Sequence, residues 1–213
     1  DETLDPIRNM VAPKNADELR SVLGVFNHQR PYVQGYAFIV EPLQRLLRKG
    51  VEWQWPEGGL EEAAFETIKG LLGDGRMLWV PNASHQLYLE HDSSTDGWGG
   101  ALFFYGPKRE KRIVMYISKK YTDAMRRRPT FFREFYGLVR CVDASTVYTA
   151  SSDYALWVIT DHKALSFAKA LSGKGAISEF YLAKLATQRL AIKWRPGASQ
   201  IFGDPFSRYP MLG

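Results

Sequence analysis

The spacing of apolar residues changes from a helical to a strand-like period near residue 86, and this change constrains the fold more than any other feature. Before it, Leu19, Leu23 and Phe26 recur at the three- to four-residue spacing of a buried helix face. Helices are predicted there over about residues 15–26, 39–47 and 60–72. We therefore predict two domains, a mainly helical arm over residues 1–85 and a second domain over residues 86–213.

The second domain alternates short strands with helices. Strands are predicted over residues 86–92, 97–104, 112–118, 155–160 and 190–194. Helices are predicted over residues 129–142, 165–171, 177–188 and 204–209. Three strands joined by short turns favour an antiparallel meander, whereas a strand–helix–strand step favours a parallel pair. The pattern therefore predicts an α/β domain with a mixed sheet.

Positive charge is concentrated in one stretch of the chain. The net charge of the whole chain is +5, yet residues 107–140 alone hold eleven Lys and Arg residues against three acidic ones. Such a stripe indicates a polyanionic partner, and a solvated basic face without a ligand is the alternative. The candidate nucleic-acid contacts within the stripe are Lys119, Lys120, Arg126, Arg127 and Arg128.

Composition excludes several classes of protein. An apolar fraction of 45% in 213 residues is typical of a globular chain and excludes a disordered or fibrous one. The single cysteine, Cys141, cannot form an intrachain disulfide, and its apolar neighbours predict a buried, unreactive thiol. No run approaches the roughly 20 apolar residues of a membrane span and no signal-peptide pattern is present. We therefore expect an intracellular protein of unspecified compartment, without a membrane partner.

Four acidic residues stand where structure alone does not require them. Asp92 and Asp161 each end a predicted strand. Glu134 lies in a largely apolar predicted helix, and Asp204 opens the last one. Each has a plain structural alternative, since Asp161 and Asp204 would be good helix N-caps and Glu134 could face water.

Taken together, these four carboxylates predict a metal-dependent nuclease. The ends of central strands lie side by side, so converging carboxylates would repel one another unless a cation lay between them. Mg²⁺ prefers oxygen ligands, and two such ions about 4 Å apart can hold both the attacking and the leaving oxygen of a phosphodiester. The basic stripe is consistent with such a substrate.

Several segments resemble one known family. The most specific are Tyr116-Ile117-Ser118-Lys119-Lys120, Thr160-Asp161-His162-Lys163-Ala164-Leu165, Arg195-Pro196-Gly197 and Gly203-Asp204-Pro205-Phe206-Ser207-Arg208. They resemble the ribonuclease H domain of gypsy-type LTR retrotransposon polyproteins. In the first half, residues 18–24 (Glu-Leu-Arg-Ser-Val-Leu-Gly) are similar to the reverse transcriptase thumb and connection region of the same polyproteins.

The resemblance implies a ribonuclease H-like mixed five-stranded sheet flanked by helices and preceded by the helical arm. It implies four catalytic, metal-binding carboxylates for two Mg²⁺ ions, with Mn²⁺ as a substitute: Asp92, Glu134, Asp161 and Asp204. Asp92 would contact both ions. Asp204 would bind one of them together with Asp92, and Glu134 and Asp161 would bind the other. The implied substrate is an RNA–DNA hybrid, recognised by its shape and 2′-hydroxyls. Residues 1–85 would contact the remainder of a reverse transcriptase or another protein.

Some positions depart from the family pattern, and two alternative functions remain open. Ser93 and Trp98 replace the small or aliphatic residues usual near the first Asp, and Pro205 replaces an Ala. The first alternative is a domesticated, catalytically silent scaffold that binds protein or RNA. The second is a transposase or integrase core, against which residues 195–197 and 204–208 argue. The sequence contains no Tyr-x-Asp-Asp polymerase motif, so this chain alone would not polymerise DNA.

Overall fold

The computed structural model describes residues 5–74, 78–161 and 176–194. The chain divides into two compact units, with residues 5–74 in the first and the other described residues in the second. Residues 78–85, which the sequence places in the helical arm, are part of the second unit, where the Trp79 N–H donates to the Ile113 carbonyl at 2.7 Å. The domain boundary at residue 85 stays a prediction. No helix in the described ranges is long and apolar enough to cross a membrane.

The described part of the first unit consists of short helices around an apolar core. In chain order the elements are α1 (Asp5–Arg8), α2 (Ala16–His28), a 3₁₀ turn (Arg30–Tyr32), α3 (Tyr36–Ile39), α4 (Glu41–Arg45) and α5 (Leu60–Gly73). The first predicted helix is confirmed as α2, whose N-cap Asn15 accepts the N–H groups of Asp17 and Glu18. The core contains the fully buried side chains of Leu19, Phe26, Ile39, Leu43, Phe65 and Ile68.

The prediction of one continuous helix over residues 39–47 is wrong. The structure has two short helices there, α3 and α4, with Val40 between them. Pro42 explains the break, because its ring lacks an N–H and would clash with the carbonyl four residues earlier in a continuous helix. The apolar stripe is nevertheless buried, since both Ile39 and Leu43 face the core.

Within the described residues, five strands form one mixed sheet in the second unit, which confirms the predicted fold class. The strands are β1 (Tyr88–Ser93), β2 (Gly97–Tyr105), β3 (Lys111–Lys120), β4 (Leu156–Thr160) and β5 (Leu190–Trp194). Their order is β3-β2-β1-β4-β5, with β1–β2 and β2–β3 antiparallel and β1–β4 and β4–β5 parallel. The parallel neighbours β1 and β4 are therefore central and end on the same side of the sheet.

Three described helices accompany this sheet: α6 (Asp123–Arg126), α7 (Thr130–Thr149) and α8 (Ala176–Ala186). The longest, α7, packs on β1 and β2 and buries Phe135, Leu138 and Val142. It continues seven residues past its predicted end at 142, because residues 143–149 contain no Gly or Pro to stop it. The helices predicted over residues 165–171 and 204–209 lie outside the described residues.

Cys141 lies on the inner face of α7 and is fully buried, as predicted. Burial alone raises the pKa of its thiol far above the ordinary value. Since the thiolate is the reactive form, this side chain acts as a packing residue.

Candidate active site

Asp92 and Asp161 leave the same end of the sheet on neighbouring strands. In the parallel pairing of β1 with β4, His91 lies opposite Thr160. Asp92 follows His91 within β1, and Asp161 is the first residue beyond β4. The parallel register therefore places these two carboxylate-bearing residues next to each other.

Glu134 approaches the same end from α7. It is partly buried, as is Asp92, whereas Asp161 is exposed. The three residues interact through space, since the charge of Asp161 acts on both other carboxylates and the charge of Asp92 acts on Glu134. We call Asp92, Glu134 and Asp161 the carboxylate triad.

Gly137 allows α7 to approach the sheet closely enough for Glu134 to belong to this triad. A Cβ atom at Gly137 would lie 2.7 Å from Ser93 Oγ, 2.7 Å from Trp98 Cβ and 2.8 Å from His91 Nε2. All three distances are shorter than a normal contact, so only glycine fits here without movement of the helix or the strands. Gly137 lies one helical turn beyond Glu134, so the closest approach of the helix also sets the position of that carboxylate.

The environment of the triad disfavours negative charge on two of its members. Burial raises the pKa of Asp92, and the charge of Asp161 raises it further, against a hydrogen bond of 2.8 Å from the Ser93 N–H to Asp92 Oδ1. Burial also raises the pKa of Glu134, to about 7, with added repulsion from Asp161 and Asp92 and a partly compensating attraction from Arg133. A cation at this position would relieve the repulsion.

The donor chemistry of the triad fits a hard divalent cation bound through few protein ligands. Its members offer only carboxylate oxygens, which Mg²⁺ prefers. In the part of the chain that the structure describes, no three acidic, His or Cys side chains lie close enough to hold one ion among them. A Mg²⁺ site does not require three protein ligands, because the ion commonly keeps several waters and uses one or two carboxylates together with substrate phosphates. The fourth predicted ligand, Asp204, lies outside the described residues.

The predicted nucleic-acid contacts lie on β3 and around α6. Lys119 pairs with Trp98 at the end of β3, and its side chain is exposed. Arg126 is the last residue of α6, and Arg127 and Arg128 follow it towards α7; all three side chains are exposed. The ion pairs of Arg126 are long, at 3.8 Å to Asp96 and 3.9 Å to Asp123. Such exposed, long ion pairs contribute little, so this guanidinium is weakly engaged within the protein.

Sequence reasoning overlooked the residues that support the triad. Gly137 looked like an ordinary helix residue, although a glycine inside an apolar helix is a recognisable signal of close packing. Tyr121, which follows β3, is buried and donates its hydroxyl to the carbonyl of Arg133 at 2.8 Å. No sequence pattern indicates that Tyr121 and Arg133 are in contact, because this contact arises only from the packing of α7 on the sheet.

A family model described as the RNase H-like domain found in reverse transcriptase matches residues 59–156. Two polyproteins are similar along nearly the whole chain. The polyprotein from transposon opus of Drosophila melanogaster is 25% identical over 96% of this chain. The transposon Tf2-3 polyprotein of Schizosaccharomyces pombe is 26% identical over 97% of it. The chain spans 21% and 16% of the length of these two relatives.

Solved structures show the same fold. The foamy viral protease-reverse transcriptase in complex with RNA/DNA hybrid has a TM-score of 0.73 at 18% identity, covering 96% of this chain and 28% of that one. The dRH form of the foamy viral protein in complex with double-stranded DNA also has a TM-score of 0.73, at 17% identity, covering 91% of this chain and 34% of that one. This chain therefore shares the fold of these proteins, and its residues 59–156 are similar to the RNase H-like domain found in reverse transcriptase. The resemblance to retrotransposon polyproteins, inferred from the motifs, is confirmed.

Proposed function

We propose that this chain cleaves the RNA strand of RNA–DNA hybrids with divalent metal ions, as part of a retroelement reverse transcriptase. The observation that carries the proposal is the carboxylate triad, in which burial, and after it mutual repulsion, raise the pKa of Asp92 and of Glu134. Strongly perturbed carboxylates at one end of a sheet are typical of a functional site. The solved complex of the foamy viral protein with RNA/DNA hybrid supports the substrate class.

Mg²⁺ is the ion that we assign to the site, with Mn²⁺ as a substitute and Asp204 as the fourth ligand. Two bound ions would polarise the scissile phosphate and lower the pKa of the attacking water. The chain itself orients the Asp92 ligand, since the Ser93 N–H donates to Asp92 Oδ1 at 2.8 Å. The position of Glu134 is set by the close packing of α7 at Gly137.

The basic residues at the end of β3 and around α6 are proposed to bind the backbone of the hybrid. Lys119, Lys120 and residues 126–128 belong to the stretch with the largest positive surplus. Such contacts position the duplex without reading its sequence. Discrimination of RNA from DNA would then come from the 2′-hydroxyl and the shape of the hybrid.

The proposal is tested by incubating the full chain with matched duplexes of one sequence, made as RNA–DNA hybrid, double-stranded RNA and double-stranded DNA. We expect cleavage of the RNA strand of the hybrid with Mg²⁺ or Mn²⁺, no cleavage of the DNA strand, and no reaction with a chelator. The readout is gel electrophoresis with a separate label on each strand. Hybrid that stays intact with both metals, in the presence of well-folded protein, would contradict the proposal and favour the silent scaffold.

Binding of the hybrid at a series of salt concentrations measures the contribution of the basic residues. Replacing residues 126–128 with alanine should weaken binding and flatten its salt dependence by about 0.9 in slope for each phosphate that the protein no longer neutralises. The matched control replaces three exposed basic residues of the first unit, Lys14, Arg20 and Lys49. Equal salt slopes for the two triple variants would exclude residues 126–128 as the binding site.

A further inference from the structure

A chain of hydrogen bonds between buried and half-buried side chains adjoins the carboxylate triad. His91 Nε2 lies 3.2 Å from Ser93 Oγ, and Ser93 Oγ lies 3.1 Å from the hydroxyl of Tyr121. That hydroxyl lies 2.8 Å from the carbonyl oxygen of Arg133. His91 and Tyr121 are each only 5% exposed, so these contacts are largely shielded from water.

The direction of the hydrogen bond is fixed at the α7 end of the chain. The Arg133 carbonyl can only accept, so the single hydrogen of the Tyr121 hydroxyl is donated to it. The same hydroxyl lies 3.1 Å from Ser93 Oγ, and the donor and acceptor roles of Ser93 Oγ and His91 Nε2 depend on the tautomer of the imidazole. Burial is the main cause that raises the pKa of Tyr121 to about 12, so its hydroxyl stays protonated and keeps donating at neutral pH.

The hydrogen-bond chain connects the backbone segments that carry two members of the triad. His91 and Ser93 are the immediate neighbours of Asp92 on β1, and the Ser93 N–H also holds the Asp92 carboxylate. Arg133 immediately precedes Glu134 on α7. Tyr121 therefore links the strand of one carboxylate to the helix of the other.

The link lies at a close contact between α7 and the sheet. Ser93 Oγ and His91 Nε2 are two of the three atoms that a Cβ at Gly137 would strike. Polar side chains in such a tight, buried contact are costly unless they are hydrogen-bonded in a defined geometry. The hydrogen-bond chain accordingly favours one relative position of strand and helix.

We propose that Ser93 and Tyr121 are positioning residues that set the distance between the Asp92 and Glu134 carboxylates and so shape the metal site. They touch neither the substrate nor the ions and act through the backbone of Arg133 and through the orientation of Asp92. The inference rests on the proposed nuclease function. It adds Ser93 and Tyr121 to the residues that support the site, although their side chains have no direct role in the chemistry.

The test compares Tyr121→Phe, Ser93→Ala and the double variant with the wild-type chain. Each single variant should lower kcat for hybrid cleavage by about tenfold and weaken Mn²⁺ binding, measured by calorimetry, with little change in KM. The double variant should be no worse than either single variant, because each substitution already interrupts the same hydrogen-bond chain. Tyr36→Phe is the matched control, since it removes a tyrosine hydroxyl that bonds to Asn27 in the first unit at 3.0 Å.

The outcomes separate this inference from the proposed function. Wild-type protein that neither cleaves hybrid nor binds Mn²⁺ would overturn both. An active wild type with unchanged kcat and Mn²⁺ affinity in Tyr121→Phe, or with effects that multiply in the double variant, would overturn the positioning role alone. If Ser93→Ala fails to fold, Ser93→Thr replaces it and should retain kcat near the wild-type value because it keeps the hydroxyl. Loss of kcat in a folded Ser93→Thr variant would also count against the role.

Discussion

Glu134→Gln is expected to abolish hybrid cleavage while making the metal-free chain more stable at pH 8. Both effects come from the same carboxylate. Cleavage is lost because an amide cannot supply the negative charge that a divalent ion requires, which we expect to cost at least about 100-fold in rate. Stability is gained because the neutral side chain removes a partly buried charge that Asp92 and Asp161 repel.

The pH dependence of this effect follows from the direction of the shift. The pKa of Glu134 is about 7 in the folded chain, above the ordinary value of 4.5. Between pH 4.5 and about pH 7 the folded state binds the proton of Glu134 more tightly than the unfolded state does, so the free energy of unfolding falls as the pH rises. Above pH 7 Glu134 is charged in the folded state, and the full loss of folding stability is present. Because the side chain is partly exposed, we expect this loss to be about 1 kcal/mol.

Urea unfolding of the metal-free protein at pH 5 and pH 8 measures this difference. The free energy of unfolding of Glu134→Gln should depend less on pH than that of the wild type. Added Mg²⁺ should raise the stability of the wild type only. Glu52→Gln, at an exposed site in the first unit, is the control and should leave both curves unchanged. A variant that cleaves normally, or one that is less stable than the wild type at pH 8, would contradict this account of Glu134.

Gly137→Ala is expected to lower the free energy of unfolding by about 2 kcal/mol and to reduce cleavage strongly. Its new methyl group would lie 2.7 Å from Trp98 Cβ, an atom that cannot move without moving β2. Overpacking of this kind typically costs about 1–3 kcal/mol, which exceeds the gain in helix propensity. Since Glu134 lies on the same helix, displacement of α7 also moves its carboxylate away from Asp92.

Gly70→Ala provides the matched control for this substitution. Gly70 lies inside α5 and is exposed, and no atom outside its own helix lies within 4 Å of the place that an alanine methyl group would take. Alanine there should raise stability by about 0.5–1 kcal/mol, because only the propensity difference applies. Thermal unfolding and hybrid cleavage of both variants check the prediction. Stabilisation by both substitutions would show that α7 does not contact the sheet as closely as described.

The sheet could be predicted from the sequence because residues 86–92 alternate apolar and polar side chains and the other strands are short, mostly apolar runs between clear turns. The same reasoning places Asp92 and Asp161 at strand ends, since Asp92 ends an alternating segment and Asp161 follows a short, mostly apolar run. The break between α3 and α4 is also readable in principle, because Pro42 stands inside the apolar stripe. Apolar periodicity alone predicts one helix there, and the proline overrides it.

The support of the triad could not be read from the sequence in the same way. Tyr121 and Ser93 are 28 positions apart and meet only after β3 returns beside β2. Gly137 matters because of what lies opposite it, and a helical pattern says nothing about the partner surface. Local patterns predict elements, whereas contacts between elements depend on packing that no short segment encodes.

The most direct test of the account is Mg²⁺-dependent hybrid cleavage by Asp92→Asn compared with Asp96→Asn. Both substitutions neutralise an aspartate near the end of β1, but only Asp92 belongs to the triad, and Asp96 is exposed in the turn that follows. We predict that Asp96→Asn cleaves the RNA strand at nearly the wild-type rate and that Asp92→Asn is at least about 100-fold slower at every Mg²⁺ concentration. Cleavage by Asp92→Asn at the wild-type rate would contradict the assignment of the metal site to this end of the sheet.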